Sequence, residues 1–387
     1  MILKDCLEKI IDNRGRNPKY YDREVYPVID NVMIKNNYHP NVNEATRFID
    51  QDTHDNFLRG YLEPNIPIMT LVGGGIGNVS LSIDDKSVIV QNTIGFKTKP
   101  EVLDSVYLYY WFLYKHDELI QFNRGSGQPS IRKTDIENMN IELKNINCQR
   151  KASKILSEID EKIDLNNKIN NNLHDLCNNL YFKLVSQLND TNSSVESIKN
   201  VAKCVLGGTP SRTKKEYWNG SINWINSGEI NKFRIIKASE KITELGLNKS
   251  STTLLPRGTT VLAITGATLG QVSRLEIDSC ANQSVIGIIT NKKELNNYMY
   301  LSILNRINDL VLKKTGGAQQ HINKNDVETH EIIVPSTELI SQFDGIIRPL
   351  FDQISVNCFE INKLEQLRDT LLPKLMNDEI DLDNIEI

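Results

Sequence analysis

No stretch of this chain approaches eighteen consecutive apolar residues, the length a membrane-spanning helix needs. The opening Met-Ile-Leu-Lys-Asp-Cys lacks the charged-then-apolar layout of a signal peptide, so a soluble, cytoplasmic protein is expected. Cysteine is scarce: residues 6, 148, 177, 204, 280 and 358 occur singly and never as C-x-x-C, which argues against a disulfide framework and a zinc site. Reduced thiols are expected instead. The histidines at 39, 54, 116, 174, 321 and 330 form no metal-ligand spacing; His174 is expected to be exposed on a helix, and His321 and His330 to flank a strand start.

Catalytic signatures are missing too. Gly73-Gly-Gly-Ile-Gly77 has neither the Gly-Lys-Ser/Thr of a phosphate loop nor the spacing and following helix of a dinucleotide fingerprint, and reads as a turn. Asn17-Pro-Lys-Tyr20 only faintly resembles the N/D-P-P-Y/F tetrad of amino-methyltransferases: the second proline is absent, and no glycine-rich cofactor loop accompanies it. No Ser/His/Asp or Cys/His set, and no P-D-x(n)-E/D-x-K nuclease core, stands out. The chain is expected to bind no cofactor and to catalyse nothing.

What it contains is itself, twice. Gly125-Ser-Gly-Gln-Pro-Ser-Ile131 returns 191 residues later as Gly316-Gly-Ala-Gln-Gln-His-Ile322, and at the same offset Lys133 and Asp135 match Lys324 and Asp326. The match runs on through Ile163/Ile354, Asn166/Asn357, Leu173/Leu364, Leu176/Leu367, Leu180/Leu371 and Leu184/Leu375. A period this long is too large for a solenoid unit and indicates a duplicated domain-plus-helix module. With 387 residues, 39% of them apolar, there is material for two globular domains. The net charge of −4 divides unevenly: −3 over 1–146, +1 over 147–189, +5 over 190–335 and −7 over 336–387. A nucleic-acid surface would therefore be local and confined to the globular parts, while the acidic end suits a protein partner or solvent.

The boundaries follow the periodicity: globular domains over 1–146 and 190–335, long helices over 147–189 and 336–387, the last with an acidic tail. From Asn147 to about Leu188 apolar residues recur at steps of three and four with no Gly or Pro between them. Some forty residues at 1.5 Å each give a rod of roughly 60 Å, which needs a partner of similar length. The second copy supplies one. It opens at Pro335-Ser-Thr-Glu338, has a capping hydroxyl and a first-turn acid, and runs to about Leu372, where Pro373 is expected to end or kink it. An antiparallel coiled coil with pseudo-twofold symmetry would close the chain into a ring-like arrangement. Asn166 and Asn357 either sit in its seam, where a polar residue fixes register, or lie just beside it in solvent. Asn170, Asn171 and Asn178 are placed on the polar outer face.

The globular halves are α+β. Short apolar runs, Pro67–Val72 and Thr260–Thr265, each precede a glycine turn. Gln91–Phe96 and Gln283–Ile288 come next, then helices over 103–115 and 296–311. The loops differ. Arg14, Arg16 and Lys19 stand beside Tyr20 in one copy, and Arg212, Lys214 and Lys215 beside Tyr217 and Trp218 in the other. Near the far end of each domain are Arg124, Arg132 and Lys133, and Lys313, Lys314 and Lys324. Such sets combine charge for phosphates with planar or forked side chains that reach base edges, and matching placement in both copies makes them the candidate DNA contacts. Gln128 and Gln319, in corresponding turns, are assigned a structural hydrogen-bonding role.

Gly207-Gly-Thr-Pro-Ser-Arg212, Tyr217-Trp-Asn-Gly-Ser-Ile-Asn-Trp-Ile-Asn-Ser-Gly-Glu-Ile230, Gly316-Gly-Ala-Gln-Gln-His-Ile322 and the long helix after them together resemble the specificity subunit of type I restriction-modification systems. The resemblance spans essentially the whole chain; the first helix departs from it, since Asn145-Ile-Asn-Cys-Gln149 has no counterpart of Pro335 and no acid-glutamine pair. It implies two target recognition domains reading a bipartite, non-palindromic site in double-stranded DNA. It also implies docking of two methyltransferase subunits, with restriction subunits as possible further partners, and S-adenosylmethionine, ATP and Mg²⁺ belonging to those chains. A specificity chain of a related methyltransferase-nuclease without the ATP-driven motor is the nearest alternative. A coiled-coil scaffold with two protein-binding domains is another.

Overall fold

A computed structural model describes residues 1–15, 17–125, 127–312 and 321–382. The chain divides into two compact units, Met1–Leu165 with Lys363–Ile387, and Asn166–Asn362.

The first unit is built on strands β1 (Leu7–Ile11), β2 (Pro67–Thr70), β3 (Val79–Leu81) and β4 (Thr93–Thr98), an antiparallel sheet in the order β1-β4-β2-β3. Helix α1 (Ser105–Tyr114) carries buried side chains at every position from Tyr107 to Phe112, so it lies inside the unit rather than on its surface. Asp104 caps it by accepting from the Tyr107 amide at 2.8 Å. A short helix α2 (Lys133–Glu137) precedes the long α3 (Ile146–Val185).

The second unit repeats the plan. Strands β5 (Ala202–Leu206), β6 (Thr260–Ala263), β7 (Val272–Arg274) and β8 (Val285–Thr290) pair in the equivalent order β5-β8-β6-β7, and α4 (Leu295–Leu312), α5 (Lys324–Glu328) and α6 (Thr337–Met376) follow. Register is repeated as well. Gly95 in β4 lies between Ile11 and Ile68, and Gly287 in β8 lies between Val205 and Val261. A Cβ at Gly287 would come within 2.7 Å of Leu255, and one at Gly95 within 3.3 Å of Ile66, so the side chains covering the sheet explain the glycine in both copies. The insertions differ. Tyr26–Pro27 pairs with Phe48–Ile49 in the first unit, whereas the second adds a sheet of Trp218–Ile225, Glu240–Ile242 and Cys280–Ala281.

Helices α3 and α6 are each 40 residues long and begin 191 residues apart. Asn145 caps α3 by accepting from the Cys148 amide at 2.9 Å, which serves where the second copy has Pro335-Ser336. Helix α6 does not stop at Pro373 but continues to Met376. The proline removes one intrahelical bond, yet Leu371, Leu372, Leu375 and Met376 pack on the first unit's core and hold the turn in place.

Within each unit α3 and α6 run antiparallel. In the first, Asp160 pairs with Arg368 at 2.8 Å. In the second, Cys177, Tyr181 and Leu184 pack against Ile340, Phe343, Ile347 and Phe351. Asn166 and Asn357 are in the seam: the Asn166 amide donates to Glu360 at 2.9 Å, and Asn357 donates to Asn170 at 2.9 Å. Asn170, expected on the outer face, is thus a buried seam residue. Asn178, also expected there, is half-buried, with its amide oxygen accepting from Asn305 at 3.1 Å. Conversely Leu176 and Leu367, expected in the apolar ladder, are 45% and 47% exposed, because the buried stripe passes through Cys177 instead. Replacing Asn170 with alanine is expected to leave the Asn357 amide without its acceptor and to cost about 1–3 kcal/mol in urea unfolding. Replacing Asn170 and Asn357 together with leucine should recover that loss while loosening register. No loss in the single variant would show that the amide finds another partner.

Candidate nucleic-acid interface

In the second unit the loop after β5 is pressed against backbone. A Cβ at Gly207 would fall 2.1 Å from the Asn282 carbonyl oxygen, and one at Gly208 2.6 Å from the Thr252 nitrogen. The buried Trp224 indole donates to the Gly208 carbonyl at 3.0 Å, and Thr209 donates to Gln283 at 2.5 Å. This anchored loop presents Arg212, whose guanidinium lies 3.6 Å from the Trp218 ring centroid and pairs through both terminal nitrogens with Glu240. Arg212's hydrogen bonds hold the Glu240 carboxyl below the usual range, so it is ionised at neutral pH. Lys214 donates to the Tyr217 hydroxyl at 3.0 Å. Lys215 is exposed and has no ion-pair partner among the described residues. Tyr217 is buried, so it supports the loop rather than facing a ligand.

The corresponding loop of the first unit is anchored differently. Buried Asn13 donates to the carbonyls of Gly60 and Ile89, both at 2.9 Å, and accepts from the Arg59 amide at 2.8 Å. Arg14 folds back on Asp12, with its Nη2 at 2.8 Å. Burial alone would raise the Asp12 carboxyl, but the Arg14 bonds and charge, with a smaller contribution from Lys133, hold it below the usual range. Lys133, 119 positions from Arg14 in the chain, thus adds to the positive field at Asp12 without pairing with it. Lys19 sits 4.8 Å from the Tyr21 ring centroid. Tyr20 is half-buried, packed on the cluster of Val28 and Ile49 with the Arg47 guanidinium over its ring. Asn17 receives a hydrogen bond from Gln91.

At the other end of the first unit Arg124 pairs with Asp135 at 2.9 Å, while Arg132 is exposed with no partner among the described residues. Asn123, not Gln128, holds that turn: its side-chain oxygen accepts from the amides of Gly125 and Ser130. In the second unit Lys324 pairs with Glu328 at 3.3 Å. Arg16, Lys313, Lys314 and Gln319 lie outside the described residues. His174 is half-buried rather than exposed, edge-on to Phe233, and burial lowers its pKa.

A division emerges that sequence reading did not anticipate. Arg14, Arg124 and Arg212 each hold a carboxylate of their own unit, and the unpaired charges fall mainly to lysines. The partner acids Asp12, Asp135 and Glu240 were missed, as were Gln91 and Gln283. A signal for the last two existed, since Asn17/Thr209 and Gln91/Gln283 share an offset of 192.

The family model described as the type I restriction modification DNA specificity domain matches this architecture twice, over residues 3–175 and 191–367. The chain belongs to that family. Among curated relatives, the HindI specificity subunit of Haemophilus influenzae is 27% identical over 190 residues, covering 48% of this chain and 41% of the relative. The EcoR124I/EcoR124II specificity subunit of Escherichia coli is 28% identical over 164 residues, covering 39% and 41%. The match thus spans about two-fifths of the length of each of these relatives. The crystal structure of a type I restriction-modification S subunit from M. genitalium shares the fold, with a TM-score of 0.65 at 15% identity over 97% of this chain and 95% of that one. Among the described residues, no helix is long and apolar enough to cross a membrane.

Proposed function

We propose that this chain is the non-catalytic, cytoplasmic DNA-reading subunit of a type I restriction-modification complex, and that each unit reads one half of a bipartite, non-palindromic target. The observation that carries this is one sheet built twice, with the same strand order, register and packed glycine, bearing two different anchored loops. A shared scaffold with divergent loops suits two ligands of one class, and arginine, lysine and aromatic side chains on those loops suit DNA. The contacts are assigned to Arg14, Arg16, Lys19, Arg132 and Lys133 in the first unit and to Arg212, Lys214, Lys215 and Trp218 in the second.

Two methyltransferase chains are the proposed partners, with restriction chains as further ones; S-adenosylmethionine, ATP and Mg²⁺ belong to them. Exposed apolar side chains on the long helices support a paired docking role. Leu165 and Leu176 on α3 are 51% and 45% exposed, and Val356 and Leu367 on α6, at the same offset of 191, are 59% and 47% exposed. Because each exposed apolar position on α3 has a counterpart on α6, the two helices suit two copies of one partner.

Modified-base sequencing of the host genome with and without the gene tests the reading. The expected difference is a methylated motif of two unlike half-sites around a non-specific spacer, near one helical turn centre to centre. A palindromic motif, or methyl transfer by the purified chain alone, would refute it.

A further inference from the structure

Of the candidate contacts Arg14, Arg124 and Arg212, Arg212 also lies on an aromatic platform, an arrangement that Arg47 repeats in the first unit by pairing with Asp30 over the Tyr20 ring. The Arg212 guanidinium rests on Trp218, which is fixed by its indole donating to the Ser211 carbonyl at 3.2 Å and by an edge contact with Trp224 at 5.1 Å. Both terminal nitrogens face Glu240. End-on pairing leaves the side edge of the guanidinium, Nε–H with one outer Nη–H, as a free two-donor fork, and leaves outward lone pairs on the carboxylate. Arg212 and Glu240 remain 53% and 35% exposed, so the pair is open to a ligand.

The pair carries no net charge. It therefore contributes little to phosphate attraction, which depends on cations displacing counterions. What it displays is a donor fork held in one plane, the arrangement that matches the O6 and N7 acceptors of guanine in the major groove. Lys215, exposed and unpaired nearby in sequence, has the opposite character.

We propose that Arg212 and Glu240 form a single base-reading unit of the second domain, in which Arg212 donates to a guanine edge and Glu240 is the positioning residue that holds its fork against Trp218. This rests on the DNA-reading function proposed above. It differs from treating Arg212 as one more cation, because the two readings respond oppositely to loss of Glu240.

The test uses the full chain with its methyltransferase partner. Competition binding is measured at several salt concentrations against duplexes in which each base pair of both half-sites is replaced in turn. E240A is expected to reduce the preference for one G·C pair in one half-site by about tenfold or more, with the other half-site unaffected. R212K keeps the charge but not the fork, and should lose the same preference. K215A should weaken all duplexes alike and lower the salt slope by about one. If E240A raises or lowers binding to every duplex by one factor with all base preferences intact, the pair is not a reading unit. The same conclusion follows if R212K retains the preference, an outcome independent of how well E240A folds. If the unsubstituted complex shows no base preference in either half-site, the DNA-reading function itself fails.

Discussion

Replacing Glu276 with leucine is expected to destabilise the second unit by about 3–5 kcal/mol, enough to separate its unfolding from that of the first. The Glu276 side chain is 0% exposed and lies between two buried arginines: Arg274 hydrogen-bonds it through Nη1, and the Arg234 Nε is 3.6 Å away. Arg257 approaches from the surface at 3.5 Å. Rings of Phe233, Tyr300 and Phe351 surround Arg234, with centroids 4.2, 4.7 and 5.1 Å from its central carbon. Aromatic faces stabilise a buried cation by only about 0.5–2 kcal/mol each, less than the loss of its carboxylate. Leucine would leave two guanidiniums in a dry site with no counter-charge. Urea unfolding followed by tryptophan fluorescence reports on both units, since Trp218 and Trp224 lie in this one and Trp111 in the first. A loss below about 1 kcal/mol, the range of a solvated ion pair, would show that water reaches the cluster.

Arg368→Met is expected to cost the first unit a similar amount, about 3–5 kcal/mol at neutral pH. Asp160 is 2% exposed, accepts from the Tyr110 hydroxyl at 2.7 Å, and faces Arg368 at 2.8 Å. Burial pushes the Asp160 carboxyl up, while the Arg368 charge and the Tyr110 bond pull against it. A carboxyl raised in the folded state costs stability in full above its folded value, and that cost shrinks as pH falls from there toward the unfolded value of about 4, where it is gone. Without Arg368 the carboxyl should rise further. The deficit should therefore be largest at neutral pH and shrink on acidification, as protonation removes the buried charge. Adding Asp160→Asn should restore most of the stability at pH 7, and the double-mutant cycle measures the coupling. A deficit independent of pH would mean that lost packing of the Arg368 stem, not charge, is responsible.

Glu276 meets Arg234 across the fold as well as its near neighbour Arg274, and Asp160 meets Arg368 from the other end of the chain. Arg14 and Asp12 are neighbours, yet the basic loop was read without its acid; Arg212 and Glu240 are 28 positions apart, and Asp160 and Arg368 are 208 apart. Composition lists charges but not which of them meet. The same limit explains Tyr20, half-buried under Arg47, and Tyr217, buried under Lys214.

The duplication was fully legible, because a repeat offset is a property of order along the chain. It placed two sheets with equivalent strands, matched turns, and two helices of 40 residues that start 191 positions apart. Helix existence was equally plain from apolar spacing, since a 3.6-residue period is local. Which stripe of each helix is buried was not. Leu176 and Asn170 exchange their expected places because the seam follows the facing helix, and a polar layer is tolerated only where Asn357 supplies the matching hydrogen bond. Pro373 continues a helix that local propensity would end, because core contacts of Leu372 and Leu375 outweigh one missing bond. Local patterns thus determined the elements and their repetition, whereas long-range packing and charge pairing, which depend on distance in space, decided which side chains are buried, which are neutralised and which remain free to meet a ligand.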